Sequence, residues 1–147
     1  MDSLNRGFSA PIQVEYAYAP AELALLAARD SDPFNRWEAA QRIHCGAILV
    51  AARAFAAGEP LPAVPELGAL VATLVGDEGS DPALRALAVT MPDLAYLAGL
   101  SPVIDADALF VARQHVIREI AAGAQAALRE RFESLRPSGG YAPSQAQ

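Results

Sequence analysis

The sequence predicts a mainly α-helical protein, a HEAT-like or superhelical stack of helices preceded by one orphan β-strand. From residue 20 onward, apolar residues recur at three- and four-residue spacing, which is the period of helices that pack through one face. Asp-Pro pairs at Asp32-Pro33 and Asp81-Pro82 stand directly before two of these segments, as is typical of helix N-termini. Only one segment, near the N-terminus, alternates with the period two of a strand.

The predicted strand covers residues 8–18, where apolar residues are separated by Gln13 and Glu15. A lone strand is not stable without a sheet to pair with, and no later segment repeats the alternation. We therefore expect residues 1–19 to be a strand and linker whose sheet is not contained in this sequence.

The first three helices are predicted from their starts and stops. Residues 20–29 form a helix with proline in its first turn, and Asp32 caps a second helix over residues 33–57 that stops at Gly58. A third helix follows at residues 65–75. The second helix should contribute an apolar face to the core, with its tryptophan as main anchor: Trp37, Ala40, His44, Ala47, Ile48, Ala51 and Phe55.

Three further helices follow. Asp81 caps the fourth, which stops before Met91-Pro92, and residues 92–100 form a short fifth. Asp105 caps a long sixth helix that ends near residue 135. Its apolar positions include Phe110, Val116, Ile117, Ile120, Ala124, Leu128, Phe132 and Leu135.

These elements divide the chain into three parts. Residues 1–19 are the strand and linker, residues 20–136 are a helical domain, and residues 137–147, rich in Pro, Ser, Gly and Gln, are a flexible tail. The length of 147 residues suits one domain, and the hydrophobic fraction of 53% is sufficient for a core.

Charge and cysteine content exclude several classes of partner. The net charge is −6 and the arginines are scattered, whereas a nucleic-acid partner requires clustered basic residues. No signal peptide and no apolar stretch long enough to span a bilayer is present, so we expect no membrane association. The single cysteine, Cys45, cannot form an internal disulfide, which fits a cytoplasmic location.

The sequence contains no H-E-x-x-H motif, Gly-rich phosphate loop, nucleophile elbow or Cys/His cluster, so no catalytic, cofactor-binding or metal-binding residue is assigned. His115 and Glu119 share a helix face at a spacing that metal sites use, but they would need further ligands. A polar helix face is the favoured interpretation.

Other polar residues also have structural explanations. His44 lies on the apolar face of the second helix, so we expect a core histidine with a backbone partner, and Cys45 should behave as a small apolar residue. Asp32, Asp81 and Asp105 could be catalytic acids, but their positions before helices favour caps.

Four segments occur in an order and spacing that carry a family resemblance. They read LNRGFSAPIQVEY, DSDPFNRWEAAQR, DPALRALAVTMPDLAYLAG and IDADALFVARQHVIREIA. Together they resemble the bacterial aminopeptidase N family of zinc-dependent gluzincin peptidases, from about Leu4 to the tail. The resemblance places the chain at the last strand of the family's β-sandwich and the first half of its C-terminal helical domain.

The resemblance implies a non-catalytic structural part of an enzyme that removes N-terminal residues from peptides. The parent would bind zinc and peptide substrates, and its remaining domains would be the partners of this piece, which would help to wall off the active site. No residue here matches the family's zinc, amine-binding or catalytic motifs, so the chain should be inactive alone. The alternative is a free-standing helical protein-interaction module without enzymatic activity.

Overall fold

The computed structural model describes residue 4 and residues 16–136, and within them it confirms the predicted stack of helices. The described residues form six α-helices. They are α1 (Pro20–Arg29), α2 (Pro33–Ala56), α3 (Pro65–Gly76), α4 (Pro82–Val89), α5 (Leu94–Gly99) and α6 (Ala106–Leu135).

Aspartate side chains determine where four of these helices begin. Asp32 accepts hydrogen bonds from the backbone N–H groups of Phe34 and Asn35, at 2.9 and 3.2 Å. Asp81 and Asp105 cap α4 and α6 in the same way, as predicted. The fifth helix starts two residues later than predicted, because the Asp93 carboxylate accepts from the Tyr96 N–H at 2.7 Å and acts as its cap.

The end of α2 follows from a glycine. The helix stops at Ala56, and Gly58 adopts a φ of 69°, which residues with a Cβ rarely adopt. The Gly58 N–H donates to the Phe55 carbonyl, and the Glu59 N–H donates to the Ala54 carbonyl at 2.8 Å. These bonds satisfy carbonyls that the helix end leaves free.

The predicted strand over residues 8–18 lies almost wholly outside the described residues. Tyr16 to Tyr18 are described, and they are in neither a strand nor a helix. The two tyrosine rings pack against each other with centroids 4.5 Å apart, and the Arg42 guanidinium lies 5.7 Å from the Tyr18 ring centroid. This segment therefore contacts α2.

Two apolar clusters hold the helices together. The larger one joins α2, α3, α5 and α6 through Ile48, Ala51, Leu67, Val71, Leu97, Ala112 and Val116, among others. The smaller one joins α1, α2, α3 and α4 through Leu26, Ala27, Ala39, Ala40, Leu74 and Ala88. Helices α2 and α3 belong to both clusters, so together they form the centre of the stack.

The core prediction for α2 is correct in its middle and wrong at its ends. Ala40, His44, Ile48 and Ala51 are buried as expected, but Trp37 is only partly buried and Phe55 is 41% exposed. Trp37 packs at the edge of the fold against Phe34, with ring centroids 5.5 Å apart. Small alanines, and not the tryptophan, allow α2 to approach its neighbours closely.

Helix α6 is also only partly buried. Val116, Ile120 and Ala124 lie in the core, whereas four of its large apolar side chains are exposed. These are Phe110, Leu128, Phe132 and Leu135.

Candidate functional site

A cavity with one polar wall lies between the α1–α2 turn and the α3–α4 turn. Its volume is about 340 Å³. Leu74 and Ala88 of the smaller core form its apolar wall, and its polar wall contains Arg36, Ser80 and Arg85. Because Asp30 and Ser31 of the α1–α2 turn also line it, the site brings together residues from three helices and two turns.

Arg36 is the central residue of this site. Its Nε–H donates to the Ala27 carbonyl at 3.1 Å, and its Nη2 donates to the Ala28 carbonyl at 3.4 Å. The same Nη2 lies 2.8 Å from Oδ2 of Asp77, and Nη1 donates to the Ser80 hydroxyl. One guanidinium thus ties the end of α1 to the turn that follows α3.

Asp77 is held in its charged form. The hydroxyl of Ser80 and then the guanidinium of Arg36 donate to its carboxylate, and they lower the pKa of Asp77 from 3.8 to about 2. Arg85, which is buried, donates from Nη1 to the Asp77 backbone carbonyl. The α3–α4 turn is therefore bracketed by two arginines.

The chemistry of this site is structural. Each nitrogen of the Arg36 side chain already donates to a protein acceptor, and the carboxylate facing it is locked as an anion. A general base needs a pKa near the working pH, which Asp77 lacks. This pair is not evident from the sequence, because 41 positions separate the two residues and neither belongs to a local motif.

His44 lies on α2 and is fully buried. Neither ring nitrogen has a hydrogen-bond partner among the described residues, so the expected backbone partner is wrong. Burial lowers the pKa of His44 from 6.5 to about 4, because the charged imidazolium would lose its hydration. The side chain is therefore a neutral, buried imidazole at physiological pH.

Cys45 behaves as predicted. It is 6% exposed, belongs to the larger core, and is a free thiol. Burial raises the pKa of its thiol from 9.0 to about 11, against the weaker effect of a backbone hydrogen bond. Because the thiolate is the reactive form, this cysteine is a poor nucleophile.

His115 and Glu119 do not form a metal site in the described part of the chain. His115 donates from Nε2 to the Pro62 carbonyl oxygen at 2.8 Å. This bond holds the segment of residues 57–64, which joins α2 to α3, against α6. The described residues contain no group of three His, Cys, Asp or Glu side chains that could hold a metal ion. The polar-face interpretation of this pair is thus supported by a specific contact.

Tyr16 and Trp37 are both aromatic residues that reach the surface. Tyr16 is 44% exposed and contacts Tyr18, as described above. Trp37 lines a second cavity of about 430 Å³, together with Gln41 and Tyr96. Gln41 donates from Nε2 to the Thr90 carbonyl at 2.8 Å, which joins α2 to the end of α4.

Residues 20–147 match a family of helical domains, DUF3458_C, described as a domain of unknown function with ARM repeats. The chain belongs to this family. The match covers every helix described above, and ARM repeats are stacked helices, in agreement with the observed architecture.

Known relatives of this DUF3458_C chain are much longer proteins. It is 36% identical over 119 residues to aminopeptidase N of Caulobacter vibrioides. This alignment covers 81% of the chain and 13% of the Caulobacter protein. It is 31% identical over 114 residues to aminopeptidase N of Escherichia coli. This alignment covers 78% of the chain and 13% of the Escherichia coli protein. The predicted resemblance to aminopeptidase N is confirmed.

A solved structure shares the fold. Aminopeptidase A of Legionella pneumophila, crystallised with aspartic acid, matches with a TM-score of 0.75 and 25% sequence identity. The match covers 96% of this chain and 16% of the Legionella protein. None of the helices in the described residues is both long and apolar enough to cross a membrane.

Proposed function

We propose that this DUF3458_C chain is a non-catalytic structural part of a zinc-dependent aminopeptidase N that helps to wall off the active site. The parent enzyme would remove N-terminal residues from peptides, and the other domains of the parent would be the partners of this part. The observation that carries the proposal is the match to aminopeptidase N over most of the helical region.

The contacts of the described residues support a structural role. Arg36, His44 and His115, whose side chains could act in chemistry elsewhere, are either bonded within the fold or buried away from solvent. The described residues do not fit a zinc ion, so we derive no catalytic step through zinc for this part of the chain. Zinc and the acid–base groups would be supplied by other domains.

Rigidity is what a wall requires. Two side-chain brackets join separate parts of the stack: Arg36 links α1 to the α3–α4 turn, and Gln41 links α2 to the end of α4. Charge-assisted bonds of the Arg36 type are among the stronger ones in proteins. A stack fixed in this way could hold a constant opening beside an active site.

An activity assay tests the non-catalytic part of the proposal. The pure chain, with or without added zinc, should not hydrolyse alanyl or leucyl p-nitroanilide, because its sequence contains no H-E-x-x-H zinc motif. Turnover that a chelator abolishes would contradict it. A variant of the Caulobacter enzyme with an inactivated zinc motif is the matched negative control.

A chimera tests the role in the parent. The matching segment of Caulobacter vibrioides aminopeptidase N is replaced by residues 20–136 of this chain, and a second variant lacks the segment. The chimera should keep the parent's preference for short over long peptides, and the deletion should weaken that preference or lose stability. A deletion variant with unchanged stability and unchanged length preference would overturn the proposed wall.

A further inference from the structure

Helix α6 carries two apolar faces, of which one has no partner among the described residues. The first faces the core through Ala108, Ala112, Val116, Ile120 and Ala124. The second is a line of residues separated by seven, four, seven, four and three positions, which places them within about 60° of one another on a helix. This α6 stripe consists of Phe110, Ile117, Ala121, Leu128, Phe132 and Leu135.

The α6 stripe is exposed along most of its length. Phe110 is 52% exposed, Phe132 66% and Leu135 58%. The stripe spans 26 residues, or about 39 Å along the helix axis. Single exposed apolar residues are ordinary, but a continuous line of large ones marks a surface that binds another molecule or segment.

Arginines border the stripe. Arg118 and Arg129 are exposed on its outer edge, eleven positions and hence about 20° apart, and neither forms an ion pair with another described residue. On the inner edge, Arg113 donates to the Pro92 carbonyl at 2.7 Å and Arg131 pairs with Glu78 at 3.3 Å. The inner arginines bind the fold, whereas the outer ones are available to a partner.

Most acidic residues of α6 lie away from the stripe. Glu119 and Glu130 are displaced from its centre by about 160–180°, and Glu133 lies one turn after Arg129, about 40° further from the stripe. Asp107 lies on the outer side but at the first turn of the helix, eleven positions before Arg118. Between residues 113 and 131, the charged residues nearest to the stripe are therefore arginines on both edges, although the whole chain has a net charge of −6.

We propose that the α6 stripe is the docking surface for an amphipathic helix whose apolar side is bordered by Asp or Glu. A straight stripe at helical spacing is complementary to the ridges of another helix. The outer arginines require acidic residues on that partner. Stacked helices are also how ARM-type repeats contact their neighbours. The proposal stands whether or not the parent is a peptidase.

A second copy of the chain is a poorer occupant. In an antiparallel pair the outer edges of the two helices meet, so Arg118 and Arg129 of one copy face those of the other. In a parallel pair the outer edge meets the inner edge, and arginines again face arginines. Like charges placed together oppose association. An anionic membrane is also disfavoured, because the chain as a whole is acidic.

Two designed helical peptides test the proposal on the full 147-residue chain. Both carry the same leucine stripe, which is bordered by Glu in one and by Lys in the other. Fluorescence anisotropy should show that the Glu peptide binds about fivefold more tightly, as expected for two exposed ion pairs. In the variant with Arg118→Glu and Arg129→Glu, the order of the two peptides should reverse.

Two further variants locate the binding surface. Leu128→Gln with Phe132→Gln should remove binding of both peptides and leave the thermal unfolding temperature nearly unchanged, because these side chains are exposed. Arg29→Glu with Arg53→Glu, an equal charge change at exposed sites on α1 and α2, should leave the preference for the Glu peptide as it is.

Four results would overturn the proposal. The first is equal affinity for the two peptides in every variant, and the second is peptide binding that survives the Leu128→Gln, Phe132→Gln substitutions. The third is self-association of the chain that these two substitutions abolish. The fourth is binding to vesicles of phosphatidylcholine and phosphatidylserine that depends on the stripe, when neither peptide is preferred. Reversal by charge exchange, with loss in the stripe variant, supports it.

Discussion

The backbones of α3 and α6 meet at Gly68 and Gly123. A Cβ built on Gly68 would lie 2.8 Å from the Gly123 Cα and 3.1 Å from its carbonyl carbon. The reverse substitution places a Cβ 3.0 Å from the Gly68 Cα. The two helices therefore pack at a distance that only a pair of glycines permits.

Gly68→Ala should destabilise the protein by about 1–3 kcal/mol, because backbone atoms and not a flexible side chain would have to move. The matched control is Gly46→Ala, also within a helix, where an added Cβ has nothing within 4 Å. That change should stabilise the protein by about 0.5–1 kcal/mol through helix propensity. Urea denaturation measures both, and equal effects would mean that α3 and α6 separate easily.

Stability should fall between neutral and mildly acidic pH because of His44. An unperturbed histidine has a pKa of 6.5, whereas burial lowers the pKa of His44 to about 4, so the unfolded state binds more protons between these values. The contribution is complete above pH 6.5 and is lost as the pH falls through about 4. The loss amounts to roughly 3 kcal/mol. Asp77 contributes a separate loss only below its usual pKa of 3.8.

Two variants assign this pH dependence. His44→Leu should remove most of the loss in denaturant titrations between about pH 7 and pH 4, and should be neutral or stabilising at neutral pH, because the unpartnered nitrogens are gone. His115→Gln should retain the dependence. An unchanged pH profile in His44→Leu would show that the imidazole is hydrated in solution.

The pair formed by Arg36 and Asp77 should show a larger coupling energy than the surface pair of Glu38 and Arg42. Their side chains are 16% and 32% exposed, and the two charged groups are 2.8 Å apart. A double-mutant cycle with alanine should give about 1–2 kcal/mol. The Glu38–Arg42 pair, at 2.6 Å on one helix, should give about 0.3–0.5 kcal/mol. Equal couplings would contradict the bracket described for Arg36.

The loss of Ile48 should be more damaging than the loss of Trp37. Ile48 is fully buried in the larger core, so Ile48→Ala should cost about 2–5 kcal/mol in thermal or urea unfolding. Trp37→Ala should cost about 1–2 kcal/mol, below the roughly 3–5 kcal/mol typical of a fully buried aromatic residue, because Trp37 is only partly buried. The opposite order would place the tryptophan in the core in solution.

Local signals explain which parts of the fold could be predicted. Asp32, Asp81 and Asp105 cap their helices through residues two or three positions away, so their role is visible in a short window of sequence. Gly58 ends α2 for an equally local reason. The six helices of the described residues were therefore predictable, with bounds that differ by at most two residues.

Contacts between distant residues explain what could not be predicted. Helix α6 has apolar residues on two faces, and the pattern does not indicate which of them a neighbour covers, so Phe132 and Val116 look alike in the sequence. Gly68 and Gly123 read as unfavourable helix residues until the two helices are seen to touch. The Arg36–Asp77 pair and the unpartnered ring nitrogens of His44 likewise depend on tertiary packing.

The bracket around Arg36 has a consequence for how the protein opens. Helix α1 has ten residues, fewer than an isolated helix needs to persist in water. It is held by the smaller core and by the bonds from Arg36 to the Ala27 and Ala28 carbonyls. Fraying of α1 must break the same guanidinium contacts that secure the turn after α3. Helix α1 and the turn between α3 and α4 should therefore open together, with a shared hydrogen-exchange free energy.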